Sequence, residues 1–308
     1  MDNGRSKREK RTGYGASLIY YSCRLVGYLP WWFLYYVLAG IIYFFLYYIF
    51  RYRVKVARDN IGKVFPEKSK KELRLIERRF YRHLAEVFVD TIDLAGISMK
   101  SLRKRIIIEN ETVHRQKTTG KDWIAVTSHY GSWEYFMAYA LGMEPNRELL
   151  GVYRPLHSKA FDGFYKRMRS RSGMTPVPMN MILRRLVSNR EAGKRSTVGL
   201  IADQTPPRRE VVRHWFDFLG RPTAFFMGME KMALKFGMPV YFVAMDKLKR
   251  GHYKISFKII WDGEEELKEF ELTQRYAKCL EAEIIHKPEY WMWSHRRWKH
   301  KYPESEDL

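Results

Sequence analysis

His129 and Glu134 stand in the run Thr127-Ser128-His129-Tyr130-Gly131-Ser132-Trp133-Glu134, directly after the apolar stretch Trp123-Ile124-Ala125-Val126. A histidine can take a proton near neutral pH. A carboxylate on one ring nitrogen fixes its tautomer and stabilises the imidazolium, leaving the other nitrogen to act as base. On a straight helix, five residues of separation turn two side chains about 140° apart. At a strand-to-helix turn the chain curls, which brings the carboxylate within reach of the imidazole, and Gly131 permits a tight turn. The same residues have a plainer reading, with His129 as a cap or core group and Glu134 as a first-turn acid favoured by the helix dipole.

The elements that must position this pair alternate along the chain. Strand-like apolar runs fall at 123–127, 149–153, 197–202, 240–245 and 254–260, and helical stretches at 133–141, 158–172, 181–191, 225–236 and 273–285. That alternation predicts βαβ units, hence an α/β fold around a mostly parallel sheet. Ligand sites in such sheets gather beyond the carboxyl ends of the strands. His129 follows the first of these runs, Arg154 (in Tyr153-Arg154-Pro155) the second, and Asp203-Gln204 the third. Together they would give one edge a base, a cation and an acid.

No G-x-S-x-G elbow, phosphate-binding loop or dinucleotide fingerprint is present. A histidine–carboxylate pair without a protein nucleophile suits attack by a substrate hydroxyl or by water. Arg154 and Arg169 are candidates for holding phosphate, since a guanidinium matches phosphate bidentately, with a solvated basic face as their ordinary role. Asp203 would orient an arginine or an amide, or cap the following turn. The remaining histidines show no metal-ligand spacing, and no metal or other cofactor is expected. Near the C-terminus, the aromatics of residues 288–299 would plug the core, with Arg296, Arg297 and Lys299 outside.

Of 308 residues, 46% are hydrophobic, which is ample for one large domain. Lys and Arg number 56 against 34 Asp and Glu, a formal net charge of +22, so the surface should attract an anionic partner. Nucleic acid is disfavoured, because zinc-finger spacing, RNA-binding signatures and basic heptads are missing. An anionic membrane surface or an acidic carrier protein remains. Cys23 and Cys279 are the two cysteines, which makes a disulfide framework improbable. Residues 25–50 carry no charge, and about 20 residues of helix span a bilayer core. Pro30 marks the start of this segment. Trp31, Trp32, Tyr35, Tyr36, Tyr43, Tyr47 and Tyr48 suit the headgroup boundary, so the segment either crosses or lies in the interface. The sequence therefore divides into a basic flexible start (1–16), a membrane anchor (17–56) and a catalytic domain (57–308) with a short acidic tail at 303–308. A helix over 70–93 is predicted by Leu73, Ile76, Phe80, Leu84, Val87 and Val89 at helical spacing.

Taken in order, His129-x4-Glu134, Tyr153-Arg154-Pro155, Asp203-Gln204, the stretch from Phe226-x-Gly228 to Gly237-Met238-Pro239-Val240, and Pro288-Glu289-x-Trp291-x-Trp293-x-His295-Arg296-Arg297 resemble the late acyltransferases of bacterial lipid A biosynthesis. The resemblance covers nearly the whole chain. It implies an αβα sandwich of the glycerolipid acyltransferase kind behind an N-terminal membrane-anchoring helix. It also implies acyl transfer from an acyl-acyl carrier protein thioester to a hydroxyl of a lipid A precursor at the cytoplasmic face of the inner membrane. Carried over, His129 is the general base and Glu134 its partner. Arg169 and Asp203 match positions tied to activity, with Arg167 and Arg171 as alternatives to Arg169. A lysophospholipid, an aminolipid or another glycolipid is an alternative acceptor, and a non-enzymatic basic membrane adaptor is the reading from a different class.

Overall fold

A computed structural model of the chain describes residues 3–300 and Tyr302, with side chains from residue 13 onward; the 303–308 tail and the side chains of Lys7, Arg8, Lys10 and Arg11 lie outside the described residues. The N-terminal third is helical: α1 (Asn3–Gly27), α2 (Ala39–Phe44) flanked by the π-helical turns Phe33–Leu38 and Phe45–Ile49, α3 (Val54–Val64), α4 (Lys70–Gly96) and α5 (Met99–Arg105). There follow β1 (Ile106–Ile108), α6 (Glu111–Thr118), β2 (Trp123–Thr127), a 3-10 helix (Trp133–Ala140), β3 (Arg147–Tyr153), α7 (Lys159–Ser170), β4 (Thr175–Pro178), α8 (Ile182–Glu191) and β5 (Arg195–Ile201). The chain closes with β6 (Trp215–Phe218), β7 (Arg221–Ala224), α9 (Gly228–Phe236), β8 (Val240–Lys249), β9 (His252–Trp261) and α10 (Glu271–His286).

Seven strands form one sheet in the order β1-β9-β8-β2-β5-β3-β4, and β6 and β7 make a separate antiparallel hairpin. The five strands from β8 to β4 are parallel; β9 turns back antiparallel on β8, and β1 runs parallel to β9. All five residues of β2 are buried, as expected of a central strand covered on both faces. Ile124 and Val126 pack into one cluster with Val198, Val240 and residues of α8, α9 and α10. Trp123 and Ala125 point the other way, toward Tyr135, Phe136, Phe164 and Met168. The alternation of side chains along each strand thus builds three layers from one sheet. The mostly parallel α/β sheet is as the sequence indicates, and the strands expected at 123–127, 149–153, 197–202, 240–245 and 254–260 are all present.

α1 begins at Asn3, within the basic stretch 1–16. Among the described residues no single helix is long and apolar enough to cross a membrane; the segment Phe33–Ile49 together with α3 passes that test, bent by 87°. The chain breaks around Pro30 and restarts, and the second segment lies along α4 rather than standing free. Leu34, Tyr35 and Ala39 are buried against Val89 of α4, while Trp32, Tyr36, Ile41, Phe44, Phe45, Tyr48 and Phe50 are exposed.

α4 is the spine on which this layer rests. Its N-terminus carries a capping box, in which the Glu72 N–H donates to Ser69 Oγ and the Ser69 N–H to Glu72 Oε2. Its C-terminus admits α1 backbone to backbone: a Cβ on Gly27 would stand 3.0 Å from the Ile92 carbonyl oxygen, and one on Gly96 3.0 Å from that of Arg24.

Candidate active site

Sheet register brings the site together. Thr127, the last residue of β2, pairs in parallel with Ile201, the last of β5. The Ala202 N–H donates to the Thr127 carbonyl (3.1 Å). His129 and Asp203 therefore leave the same edge side by side. His129 Nδ1–H donates to Asp203 Oδ1 at 2.7 Å, and the His129 backbone N–H to Oδ2 at 3.1 Å. The Trp291 indole adds a third hydrogen bond, 2.9 Å to Oδ2. Burial alone would raise the Asp203 pKa, but the neighbouring His129 and these hydrogen bonds outweigh it and hold it below the ordinary carboxylate value. A buried, ionised carboxylate thus fixes the imidazole with Nε2 outward, where the amide of exposed Gln204 donates to it at 3.3 Å.

The carboxylate on His129 is therefore that of Asp203, not of Glu134 as the five-residue spacing suggested. Glu134 sits in the first turn of the 3-10 helix, and both of its oxygens accept from Arg169 of α7, Oε2 from Nε at 2.8 Å and Oε1 from Nη2 at 2.5 Å. Both side chains are largely buried, 18% and 7% exposed, so the pair is a bidentate internal ion pair. Burial would lower the Arg169 pKa, but Glu134 raises it above the ordinary arginine value. Arg169 is thus committed to Glu134 rather than open to phosphate.

The neighbouring arginines are distinguished as well. Arg167 donates to the Tyr21 hydroxyl and lies over the Tyr20 ring, and Arg171 donates to the carbonyls of Leu94 and Ile97. Tyr153 ends β3 half-buried, with the Lys166 ammonium 5.6 Å from its ring centre. Arg154 is exposed, and no described residue pairs with it.

The C-terminal segment clamps the His129 loop. The Met292 N–H donates to the His129 carbonyl and the Gly131 N–H to the Tyr290 carbonyl, both at 3.0 Å. Gly131 is left-handed (φ +63°), and a Cβ there would meet the Met245 carbonyl oxygen at 3.0 Å. From behind, buried His83 of α4 donates through Nε2 to the Gly131 carbonyl at 3.2 Å. Burial pushes the His83 pKa down to about 3, so it holds the loop as a neutral group.

Arg296 and Lys299 are exposed as expected, but Arg297 is buried at 2% exposure. Its Nη1 donates to Thr205 Oγ1 (2.9 Å) and the Ala224 carbonyl (2.7 Å), and its guanidinium lies 4.3 Å from the Phe225 ring centre. The Thr205 hydroxyl donates back to the Arg297 carbonyl, which closes a clasp two residues from Asp203. Burial lowers the Arg297 pKa to about 10, still charged at neutral pH. Trp291 and Arg297 were missed as site supports because nothing in their local pattern announces which strand end they meet.

The sequence profile for bacterial lipid A biosynthesis acyltransferases matches residues 3–300. The chain belongs to that family. No curated protein matches the chain in the comparison made. The match extends from α1 past the Trp291–Arg297 segment, so the helices along α4 and the clamp over His129 both fall within its bounds. An acyltransferase needs a group that takes a proton from an acceptor and returns one to a leaving group. An imidazole held by an ionised carboxylate, with its second nitrogen facing outward, has the required chemistry.

Proposed function

We propose that this acyltransferase moves a fatty acyl chain from the thioester of an acyl-acyl carrier protein to a hydroxyl of a lipid A precursor or related glycolipid, with His129 as general base. The acceptor hydroxyl displaces Gln204 from His129 Nε2 and gives up its proton as its oxygen attacks the thioester carbonyl carbon. Asp203 stabilises the imidazolium, which then protonates the departing thiolate. The observation that carries this reading is the His129–Asp203 bond, which leaves Nε2 outward on exposed Gln204.

Arg154, exposed and unpaired at the same strand edge, is the cation we assign to an anionic group of the acceptor. The exposed aromatics from Trp32 to Phe50 supply the membrane contact, lying in the interface on the cytoplasmic face of the inner membrane. The net charge of +22 favours both anionic lipid and an acidic carrier protein.

The test is incubation of the purified protein in detergent with acyl-acyl carrier protein and, separately, a tetra-acylated lipid A precursor and a set of lysophospholipids, read by mass spectrometry beside His129→Ala. Gain of one acyl mass by the lipid A precursor, absent in the variant, is the expected result. Acylation of lysophospholipids alone would overturn the acceptor, and turnover by His129→Ala would overturn the base.

A further inference from the structure

Of the lysines and arginines whose side chains are described, Arg297 alone is buried. Its side-chain hydrogen bonds run through one nitrogen: Nη1 donates to Thr205 Oγ1 and the Ala224 carbonyl, whereas Nε and Nη2, equally shut off from solvent, have no partner. No carboxylate among the described residues forms an ion pair with it. Phe225 and Phe218 flank the guanidinium, with ring centres 4.3 and 5.9 Å away. Holding a cation in such surroundings is unfavourable, and bonds to two neutral oxygens and an aromatic face offset only part of the penalty. An apolar side chain would fill the same space at lower cost, so the charge itself needs a reason.

Its neighbours supply one. Thr205, which it holds, is two residues past Asp203, and Trp291, whose indole N–H is on Asp203, packs its ring 5.9 Å from that of Phe218. Asp203 is buried and ionised, and it is the carboxylate that opposes the lowering of the Arg297 pKa by burial. The other titratable groups facing His129 and Asp203 bring no buried net charge. Burial pushes His83 of α4 down to about 3 and His295 of the C-terminal segment to about 4, so both are neutral. On α10, burial raises Tyr276 well above the ordinary tyrosine value and Glu283 to about 8, so both keep their protons at neutral pH. Glu134 is paired with Arg169, Glu86 with Lys247, and Asp246 with Lys254. Arg53 and Arg154 are exposed, and water screens them. We propose that Arg297 is a positioning residue whose buried charge balances that of Asp203 and keeps the carboxylate ionised beside His129, an inference that rests on His129 being the group that moves the proton.

Charges act over a longer range inside a protein than in water, so this balance reaches the base. With Arg297 in place, His129 stands beside a carboxylate and a guanidinium that cancel. Without that cation the pocket is anionic, and His129 takes a proton from solvent at higher pH. The protonated ring has no free Nε2 with which to accept the proton of the acceptor hydroxyl. The bonds from Nη1, and the one returned by the Thr205 hydroxyl to the Arg297 carbonyl, fix where the charge sits. A purely structural role would need those bonds and not the charge.

The test follows the titration of His129 by NMR of the full chain isotope-labelled at its histidine ring carbons, with the His129 signal assigned by its loss in His129→Gln. Wild type is compared with Arg297→Lys, Arg297→Gln and Arg297→Met, with thermal unfolding of each alongside. We expect the His129 midpoint to rise by about one pH unit in the glutamine and methionine variants and to stay within about 0.3 unit of wild type in Arg297→Lys, which keeps the charge and loses the fork. The acid limb of kcat/KM for acyl transfer should move with the midpoint. A midpoint unchanged in the neutral variants overturns the proposal, and so does an equal rise in Arg297→Lys, which would assign the effect to the lost hydrogen bonds. Glutamine keeps a donor for Thr205 and decides alone if methionine does not fold; if no neutral variant folds, the charge serves the fold and the proposal falls. The titration needs no turnover, so its outcome is independent of the acyl-transfer reading, whereas an acid limb that ignores the His129 midpoint would count against His129 as the base.

Discussion

His129 and Asp203 are held 2.7 Å apart by strand register, each two residues beyond a paired strand end. Asp203 accepts from the His129 ring, the His129 backbone and the Trp291 indole, and its exchange for asparagine changes the charge without changing the shape. An amide at that position can turn either its oxygen or its nitrogen to Nδ1 and no longer balances an imidazolium. Asp203→Asn is expected to lower kcat by about 10²- to 10⁴-fold with little change in KM. Kinetics on the purified variant check this. A loss below threefold would mean that the carboxylate serves the loop and not the base.

Glu134 and Arg169 make the second charged pair, and its energetics differ. Removing one partner of a largely buried ion pair leaves the other uncompensated, at a cost of about 3–5 kcal/mol. Glu134→Gln is therefore expected to destabilise the protein as well as slow it, because Arg169 keeps its charge. Glu134→Gln combined with Arg169→Met should recover most of the stability and little of the activity. Denaturant unfolding and kcat on the single and double variants separate the two effects; a double variant as unstable as the single would show that the pair is not the origin of the loss.

Much of this arrangement is legible in the sequence, and the misses have a common origin. The run 123–127 reads as a strand because it is short and wholly apolar, and the residues just past such runs identify one sheet edge. That reasoning places His129, Arg154 and Asp203 without knowing the strand order. It does not say which acid meets His129, because Glu134 is near in sequence whereas Asp203 is near through the pairing of β2 with β5. Arg297 shows the same limit: a charged residue in an Arg- and Lys-rich stretch reads as exposed, and only the packing of Phe225, Thr205 and the Ala224 carbonyl around it shows otherwise. The strands β1, β4, β6 and β7 are three or four residues long, too short for their periodicity to stand out.

Glu283 of α10 gives a pH signature. Burial, with Asp246 adding to it, raises its pKa from the ordinary 4.5 to about 8. The folded state therefore keeps the Glu283 proton over a range in which the unfolded chain has lost it. Stability from this group is fully present below the ordinary carboxylate range and is lost as pH rises toward about 8. Glu283→Gln should unfold at a higher temperature than wild type above pH 8, by an increment of roughly 1–4 kcal/mol in stability, and show no such gain near pH 4. Thermal unfolding across pH 4–9 measures it, and a gain independent of pH would assign the effect to packing.

Tyr35 makes the N-terminal segment more than a tether. Its ring is fully buried, and its hydroxyl donates to Asp90 Oδ1 at 2.5 Å while the Tyr253 hydroxyl donates to Oδ2 at 2.5 Å. Burial raises the Asp90 pKa to about 6 even with these donors in place. Tyr135, next to Glu134 in the 3-10 helix, lies 3.5 Å from the Tyr35 hydroxyl, so the segment reaches the element that carries the Glu134–Arg169 pair. Twelve residues further along, the Tyr47 hydroxyl donates to buried Glu77 at 2.8 Å. Tyr35→Phe removes one donor from a buried carboxylate and is expected to cost about 1–3 kcal/mol. Residues 57–308 alone would lose both tyrosines and uncover Val89, so this fragment should unfold well below the full chain in the same detergent and turn over poorly. A fragment with the full chain's unfolding temperature and kcat would return residues 1–56 to the role of a simple anchor.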